Sequence, residues 1–455
     1  MVGRGAGLVA AALAAVALSA PGATWAARFT PPLKLPHSPP KGNQAGWEPS
    51  VAFDPGGRWV YVTAPGGGET GGVAFWRSPD RGRTWQGAQD IGARPPLGGG
   101  DSDVSVGPDG TVYVADLEVV ANALCRSHDH GRSWDGGCNT GIATNQTGFE
   151  SDREWVNPDP NRANVVYFSY HDFAAEVPLV WRSTSGGDPL SFVPCGAVLE
   201  PGGDAFANFV PGGTDVGKPL VARDGSIYVP ITEPENPATY LTPYSNFYMA
   251  IARNGCDPAT QFKNVTVYSN ANASLANIFS YVAEDGGGKL YALATGADGR
   301  HGGHNAVLLF RSGDRGRTWS KPIAVELPRF KASALGALAA GPGAGDVAVG
   351  YFATRTTSDP NSERNVWRYY VAISRDAGRH FDFSRITPDP IHYGAICNLG
   401  ILCTSGRNLL DFSSVAVNPR TGCVMAVIPG DPFDQAHHER YPAAAYVSRQ
   451  TRGCF

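Results

Sequence analysis

One short motif recurs in this chain and constrains its fold more than any other feature. Arg77-Ser78-Pro79-Asp80-Arg81-Gly82-Arg83-Thr84-Trp85 returns as Arg126-Ser127-His128-Asp129-His130-Gly131-Arg132-Ser133-Trp134. It returns again as Arg311-Ser312-Gly313-Asp314-Arg315-Gly316-Arg317-Thr318-Trp319, and more weakly as Ser374-Arg375-Asp376-Ala377-Gly378-Arg379-His380-Phe381. Internal repetition of this kind means a chain built from like units. The copies follow apolar runs such as Gly72-Val73-Ala74-Phe75-Trp76 and Asn305-Ala306-Val307-Leu308-Leu309-Phe310. In Ser-x-Asp-x-Gly, the Asp accepts hydrogen bonds from its own turn and the Gly supplies a positive φ. Each copy therefore reads as strand, tight turn and returning strand, with the closing Trp packing between sheets. On this reading Asp80, Asp129, Asp314 and Asp376 are structural, neither catalytic nor metal-binding.

A second repeat is offset from the first. Its clearest copies are Pro49-Ser50-Val51-Ala52-Phe53-Asp54-Pro55-Gly56-Gly57-Arg58-Trp59-Val60-Tyr61-Val62 and Asp103-Val104-Ser105-Val106-Gly107-Pro108-Asp109-Gly110-Thr111-Val112-Tyr113-Val114. Further copies begin near Glu154, Pro219, Ser280, Gly336 and Ser413. Each is a hairpin of two apolar strands around an Asp-Gly or Pro-Gly type turn. Their spacing, roughly 50 to 75 residues, leaves room for four short strands per unit. The predicted fold is an all-β propeller of four-stranded antiparallel blades. Seven blades are expected; six is the alternative, because the sixth hairpin is faint.

The turn motif resembles the Asp box of the sialidase and BNR-repeat superfamily, and the chain reads as a diverged member. In that family the motif joins the third and fourth strands of a propeller blade. The resemblance spans nearly the whole chain after residue 46 and implies a glycan or glycoconjugate as partner. One departure is visible: the family's Arg-Ile-Pro signature is absent, and Arg28-Phe29-Thr30-Pro31 does not match it.

The rest of the sequence is consistent with export. Residues 1–26 read as a signal peptide: Arg4, an apolar run from Leu8 to Leu18, the break Pro21-Gly22, and Thr24-Trp25-Ala26 before the cut. Residues 27–46 read as a Pro-rich extended lead-in, and 47–455 as one propeller domain. No later run is long and apolar enough for a membrane span. A net charge of −4 leaves no basic footprint for nucleic acid. With 57 Gly and 36 Pro, turns dominate over long helices. The eight cysteines allow 105 pairings. Proximity suggests Cys125–Cys138, Cys397–Cys403 and Cys423–Cys454, which leaves Cys195–Cys256. A secreted monomer is expected.

A propeller's ligand site sits at one end of its channel, with the Asp boxes towards the other. Functional residues should then stand before first strands and after second strands. The former are Glu48, Asp101, Asp103, Asp152, Arg153, Glu154, Asp215, Lys218, Arg407 and Asp411. The latter are Asp116, Tyr170, His171, Asp172, Glu233, Tyr351, Arg355 and Asp431. The resemblance implies three Arg on a substrate carboxylate, for which Arg153, Arg355 and Arg407 are candidates. It also implies a Tyr activated by a Glu, for which Tyr170 or Tyr351 with Glu233 are candidates. Two other chemistries stay open. Asp103 with Glu154 suits acid/base hydrolysis of another glycoside, and Tyr170-His171-Asp172 suits polysaccharide lysis. The catalytic candidates are thus Asp103, Glu154, Tyr170, Asp172, Glu233 and Tyr351, with Arg153, Arg355, Arg407 and His171 binding substrate. Against this, Asp152-Arg153-Glu154 also suits a salt-bridged blade end, and Asp411 a buried cap. No cofactor is expected. Asp101 and Asp103 beside Gly98-Gly99-Gly100 offer oxygens for Ca²⁺ but match no calcium-loop spacing. The reading is an exo-acting glycoside hydrolase; the alternative is a non-catalytic glycan- or protein-binding propeller at the cell surface.

Overall fold

The computed structural model describes residues 1, 27–36, 46–66, 72–91, 101–118, 121–138, 151–172, 177–188, 190–208, 215–236, 238, 244–276, 278–300, 303–400, 403–434, 439–440 and 442–455. The expected signal peptide, Met1 apart, lies outside them, as do Gly98-Gly99-Gly100.

Seven antiparallel sheets form a seven-bladed propeller. Blade 1 is Ser50–Phe53, Val60–Pro65, Val73–Ser78 and Gln86–Ile91. Blade 2 has Ser102–Val106, Val112–Glu118 and Ala121–Ser127. Blade 3 is Ser151–Pro158, Val166–Asp172, Val177–Ser183 and Val193–Pro194. In blade 4, Asp215–Val216 and Leu220–Val221 share the innermost place, followed by Ile227–Glu233, Asn246–Ala252 and Lys263–Ser269. Blade 5 has Ser274–Leu275 and Tyr281–Glu284 innermost, then Leu290–Ala297, Ala306–Ser312 and Ile323–Ala324. Blade 6 is Ala332–Ala340, Val347–Thr354, Val366–Ser374 and Asp382–Arg385.

Blade 7 draws on both ends of the chain. Its inner strands are Ser414–Val417, Val424–Gly430 and Ala444–Arg452, and Arg28–Phe29 and Leu33–Lys34 pair with the last of these. The segment expected as a lead-in therefore supplies the outer edge of blade 7 and closes the ring. Nothing in its Pro-rich composition indicates that role.

Second and third strands are apolar on both faces because each sheet is packed between two others. Alternate residues serve opposite seams. Val60, Val62 and Ala64 face blade 7, whereas Tyr61 faces blade 2. Blade 6 appears faint in the sequence for a packing reason. A Cβ on Gly336 would meet Thr295, Val307 and Leu293 of blade 5 within 3.1 Å, so this position of the inner strand takes no side chain, and five of the strand's nine residues are Ala.

The four Ser-x-Asp turns share one geometry. Asp80 Oδ1 accepts from Arg83 N at 3.0 Å and Thr84 N at 2.9 Å, and Oδ2 accepts from the Thr84 hydroxyl at 2.7 Å. Ser78 Oγ donates to Asp80 at 2.9 Å and accepts from Gly82 N at 2.8 Å. The carboxylates of Asp129, Asp314 and Asp376 are likewise spent on their own turns. Both x and Gly lie in the left-handed region, with Arg81 at φ 64° and Gly82 at 78°. The turns also lock neighbouring blades. Arg77, Arg126 and Arg311, facing Tyr61, Tyr113 and Tyr291 across the sheet, donate to His130 O, Gly186 O and Ala377 O in the next blade. The distances are 3.1, 2.8 and 2.8 Å.

The four disulfides are Cys125–Cys138, Cys195–Cys256, Cys397–Cys403 and Cys423–Cys454. Among the described residues, no helix is long and apolar enough to cross a membrane.

Candidate functional site

The hairpin that ends each inner strand closes with a backbone bond from Asp54, Gly107, Asp159, Ala222, Asp285, Gly341 or Asn418. Four residues before these stand Ser50, Asp103, Trp155, Lys218, Tyr281, Ala337 and Ser414. All seven line an axial channel of about 370 Å³. Six residues before the same donors stand Glu48, Asp101, Arg153, Val216, Phe279, Leu335 and Phe412. This second ring is the channel mouth away from the Ser-x-Asp turns. Blades 1 to 3 make it charged and blades 4 to 7 make it apolar.

Arg153 organises the mouth. Its guanidinium carbon lies 4.1 Å from the Trp155 ring centroid and 4.3 Å from that of Phe412, with Phe279 at 5.6 Å. This cation–π cage holds a side chain only 2 % exposed. Arg153 donates to Ser102 O at 3.2 Å and pairs with Asp101 at 3.7 Å. Burial pulls its pKa down, but Asp101, Glu48, Glu154 and Asp103 outweigh that, so the guanidinium stays charged.

Asp411 shares this field as well. Glu48, 2 % exposed, accepts from Asp411 N at 3.0 Å. Burial pushes its carboxyl well above the usual range, and the charge and hydrogen bond of Asp101 push it further. Burial also raises Asp411, while Arg407, 2.8 Å from its Oδ2, works the other way. The arrangement is a buried carboxyl with a raised pKa beside a second carboxyl, under a fixed positive charge. Arg407 and Asp411 come from a loop held by Cys397–Cys403 and by the buried pair His392–Asp431 at 2.5 Å. Asn408 Nδ2 also donates to Asp431, at 3.0 Å.

The sequence-derived candidates divide. Arg153, Glu154 and Arg407 belong to the mouth network. Asp103 sits one level lower, fully buried, and accepts from Ser50 Oγ at 2.7 Å, Lys218 Nζ at 2.8 Å and Val156 N at 3.1 Å. Its carboxylate joins blades 1, 3 and 4 to its own blade 2. Tyr170 is buried with Phe168 in the cluster shared by blades 2 and 3. His171 and Glu233 are buried near the ends of the second strands of blades 3 and 4. The side chain of Asp172 lies outside the described residues. Tyr351 does not join the mouth: it packs with Phe330 and Tyr370 in the core between blades 5 and 6. Arg355 does not complete a clamp either, because it lines a separate 210 Å³ cavity with Arg368 and Arg385.

The residues that sequence reasoning missed are Glu48 and Asp101 as a pair, the apolar cage, and Tyr244. Counting back from each hairpin turn would have aligned Glu48 with Asp101 and Arg153. Tyr244 is buried, and burial followed by the charges of Asp215 and Glu233 holds its phenol protonated. It takes the position by Glu233 that was expected of Tyr170 or Tyr351. Among the described residues no three His, Cys, Asp or Glu side chains converge as a metal-ligand set.

No protein-family model matches the chain, and no curated protein matches it. Solved structures do match. A Dyadobacter fermentans protein described as of unknown function has a TM-score of 0.52 at 14% identity, covering 93% of this chain and 99% of its own. A polysaccharide lyase of family PL25, an ulvan lyase bound to -[GlcA(1-4)Rha3S]-, has a TM-score of 0.50 at 11% identity, covering 93% and 94%. A Hadza microbial sialidase matches at 0.46 and 14% identity, covering 92% and 68%. At such identity the likeness is one of fold.

Proposed function

We propose that the chain is a glycan-acting propeller, an exo-acting glycoside hydrolase with its site at the channel mouth. The observation that carries this is the Glu48–Asp101 pair beside the caged Arg153. A carboxyl kept protonated by burial is suited to protonate a glycosidic oxygen, and a carboxylate hydrogen-bonded to it to share that proton and activate water. Glu48 is the acid in this reading, and Asp101, 19 % exposed, is the group nearer solvent. Arg153 keeps negative charge at Asp101 favourable, and Arg407, 30 % exposed, faces an anionic or hydroxyl-rich ligand. The ulvan lyase with its bound glycan supports this reading through its shared fold only. Four disulfides are consistent with action outside the cytoplasm.

One observation favours a second reading, a non-catalytic binding propeller. Glu48, Arg153 and Glu154 are each at most 2 % exposed, as in a structural knot. The experiment is sugar release from a panel of glycosides, sialosides included, by wild type, Glu48→Gln and Asp101→Asn. Activity that falls by about a hundredfold or more in Glu48→Gln supports the enzyme. Glycan binding without turnover in all three proteins supports the second reading.

A further inference from the structure

On the face that carries the Ser-x-Asp turns, the seam between blades 7 and 1 lacks an inter-blade arginine bond that several other seams carry. In four blades a Tyr and an Arg face each other across the sheet: Tyr61 with Arg77, Tyr113 with Arg126, Tyr167 with Arg182, and Tyr291 with Arg311. Arg77, Arg126 and Arg311 donate into the next blade's turn, at His130 O, Gly186 O and Ala377 O. In blade 7 the same register pairs Met425 with Arg449. Met425 has no hydroxyl, and among the described residues the Arg449 guanidinium makes no hydrogen bond to Arg81 O, the acceptor this pattern would use.

A cleft of about 360 Å³ occupies the place instead. Its charged lining residues are Arg81, Arg83 and Arg449, and no carboxylate lines it. Nearby acids are engaged elsewhere: Asp80 holds its own turn, and Asp54 accepts from Gly56 N and Trp59 N. The polar neighbours Asn418 and Gln450 are committed to backbone partners. Three arginines thus line one cavity, and none of them forms an ion pair among the described residues. Arg81 does so from a left-handed backbone, φ 64°, where a long side chain has no conformational advantage.

We propose that this cleft is an anion-binding site, distinct from the channel mouth, for a sulfate- or phosphate-type oxyanion. Guanidinium forks bind such oxyanions bidentately, and convergence of three suits a doubly charged group over a single carboxylate. The group is either a free ion or an ester on a larger ligand.

The test is titration calorimetry on the full chain at low ionic strength, with inorganic sulfate, inorganic phosphate, a sulfated dextran oligosaccharide and neutral dextran. The comparison proteins are Arg83→Gln/Arg449→Gln and Arg81→Gly; the latter removes a guanidinium at a backbone position that Gly accepts without strain. Saturable binding of an anionic probe, weakened about tenfold or more in both variants at unchanged melting temperature, is the expected result. Within it, tighter binding of the sulfated dextran than of free sulfate identifies an esterified ligand, and equal binding a free ion. No saturable binding of any anionic probe overturns the proposal. So does binding that both variants leave unchanged, or equal affinity for neutral dextran.

Discussion

Lys218 Nζ lies 2.8 Å from Asp103 Oδ1, and the bond reaches across the axial channel from blade 4 to blade 2. Lys218 also donates to Ser105 Oγ at 3.1 Å. Asp103 is fully buried, so removing the cation leaves a charge with only two neutral donors. Lys218→Met is expected to cost about 2–3 kcal/mol. That is below the ~3–5 kcal/mol of a fully buried pair because the Lys218 side chain is 27 % exposed. Lys218→Met/Asp103→Leu should lose less than the two single losses added together. Thermal denaturation of the three variants checks this, and strict additivity would contradict an axial clasp.

Stability should fall with rising pH where Glu48 dominates. Its folded pKa is raised well above the ordinary value of 4.5, so the native state holds a proton that the unfolded chain releases. The contribution is fully present below about pH 4.5 and is lost as pH rises through the folded pKa. Glu48→Gln keeps the neutral form at every pH. Its melting temperature, relative to wild type, should therefore rise between pH 4.5 and neutrality. A difference independent of pH would show that Glu48 is not held protonated.

The Asp314 turn should show the opposite dependence. Hydrogen bonds from the Thr318 hydroxyl and the Thr318 N–H pull its pKa from 3.8 to about 2. Its contribution is present above the unfolded value and lost as pH falls through the folded one. Asp314→Ala is expected to cost about 1–2 kcal/mol at neutral pH, comparable to losing a helix cap. The melting-temperature gap to wild type should shrink between pH 4 and pH 2. A gap that persists at pH 2 would assign the loss to something other than the carboxylate.

The disulfides should differ in weight. Cys195–Cys256 links residues 61 apart across blades 3 and 4, whereas Cys397–Cys403 closes a loop of 6. Loop-closure entropy assigns about 4 kcal/mol to the first and about 2 kcal/mol to the second. Paired Cys→Ser variants, compared by denaturant midpoint, should rank in that order. The second pair should instead weaken ligand binding at the mouth more than it lowers stability, because its loop carries Arg407 and Asp411.

The blades were legible in the sequence because each is local. Ser312, Asp314, Gly316 and Thr318 contact one another within a few residues, so their spacing alone implies the turn. The paired cysteines follow the same logic where a pair falls within one blade, as Cys423 and Cys454 do. The site was legible only as a collection. Arg153, Arg407 and Asp411 could be named from their positions before inner strands, but Arg355 and Tyr351, named from their positions after second strands, lie elsewhere.

What the sequence determined by itself was the repeating unit: short apolar strands, turns with one permitted geometry, and hence a ring of blades. Those features depend on neighbours in the chain. What tertiary structure alone decided was which residues meet at the axis and at the closing seam. Glu48, Asp101, Arg153 and Asp411 are brought together across hundreds of residues by the ring's closure. That closure depends on Arg28–Phe29 and Leu33–Lys34 docking on the last strand. Backbone pairing of that kind is nearly indifferent to side-chain identity, so it leaves almost no mark in the sequence.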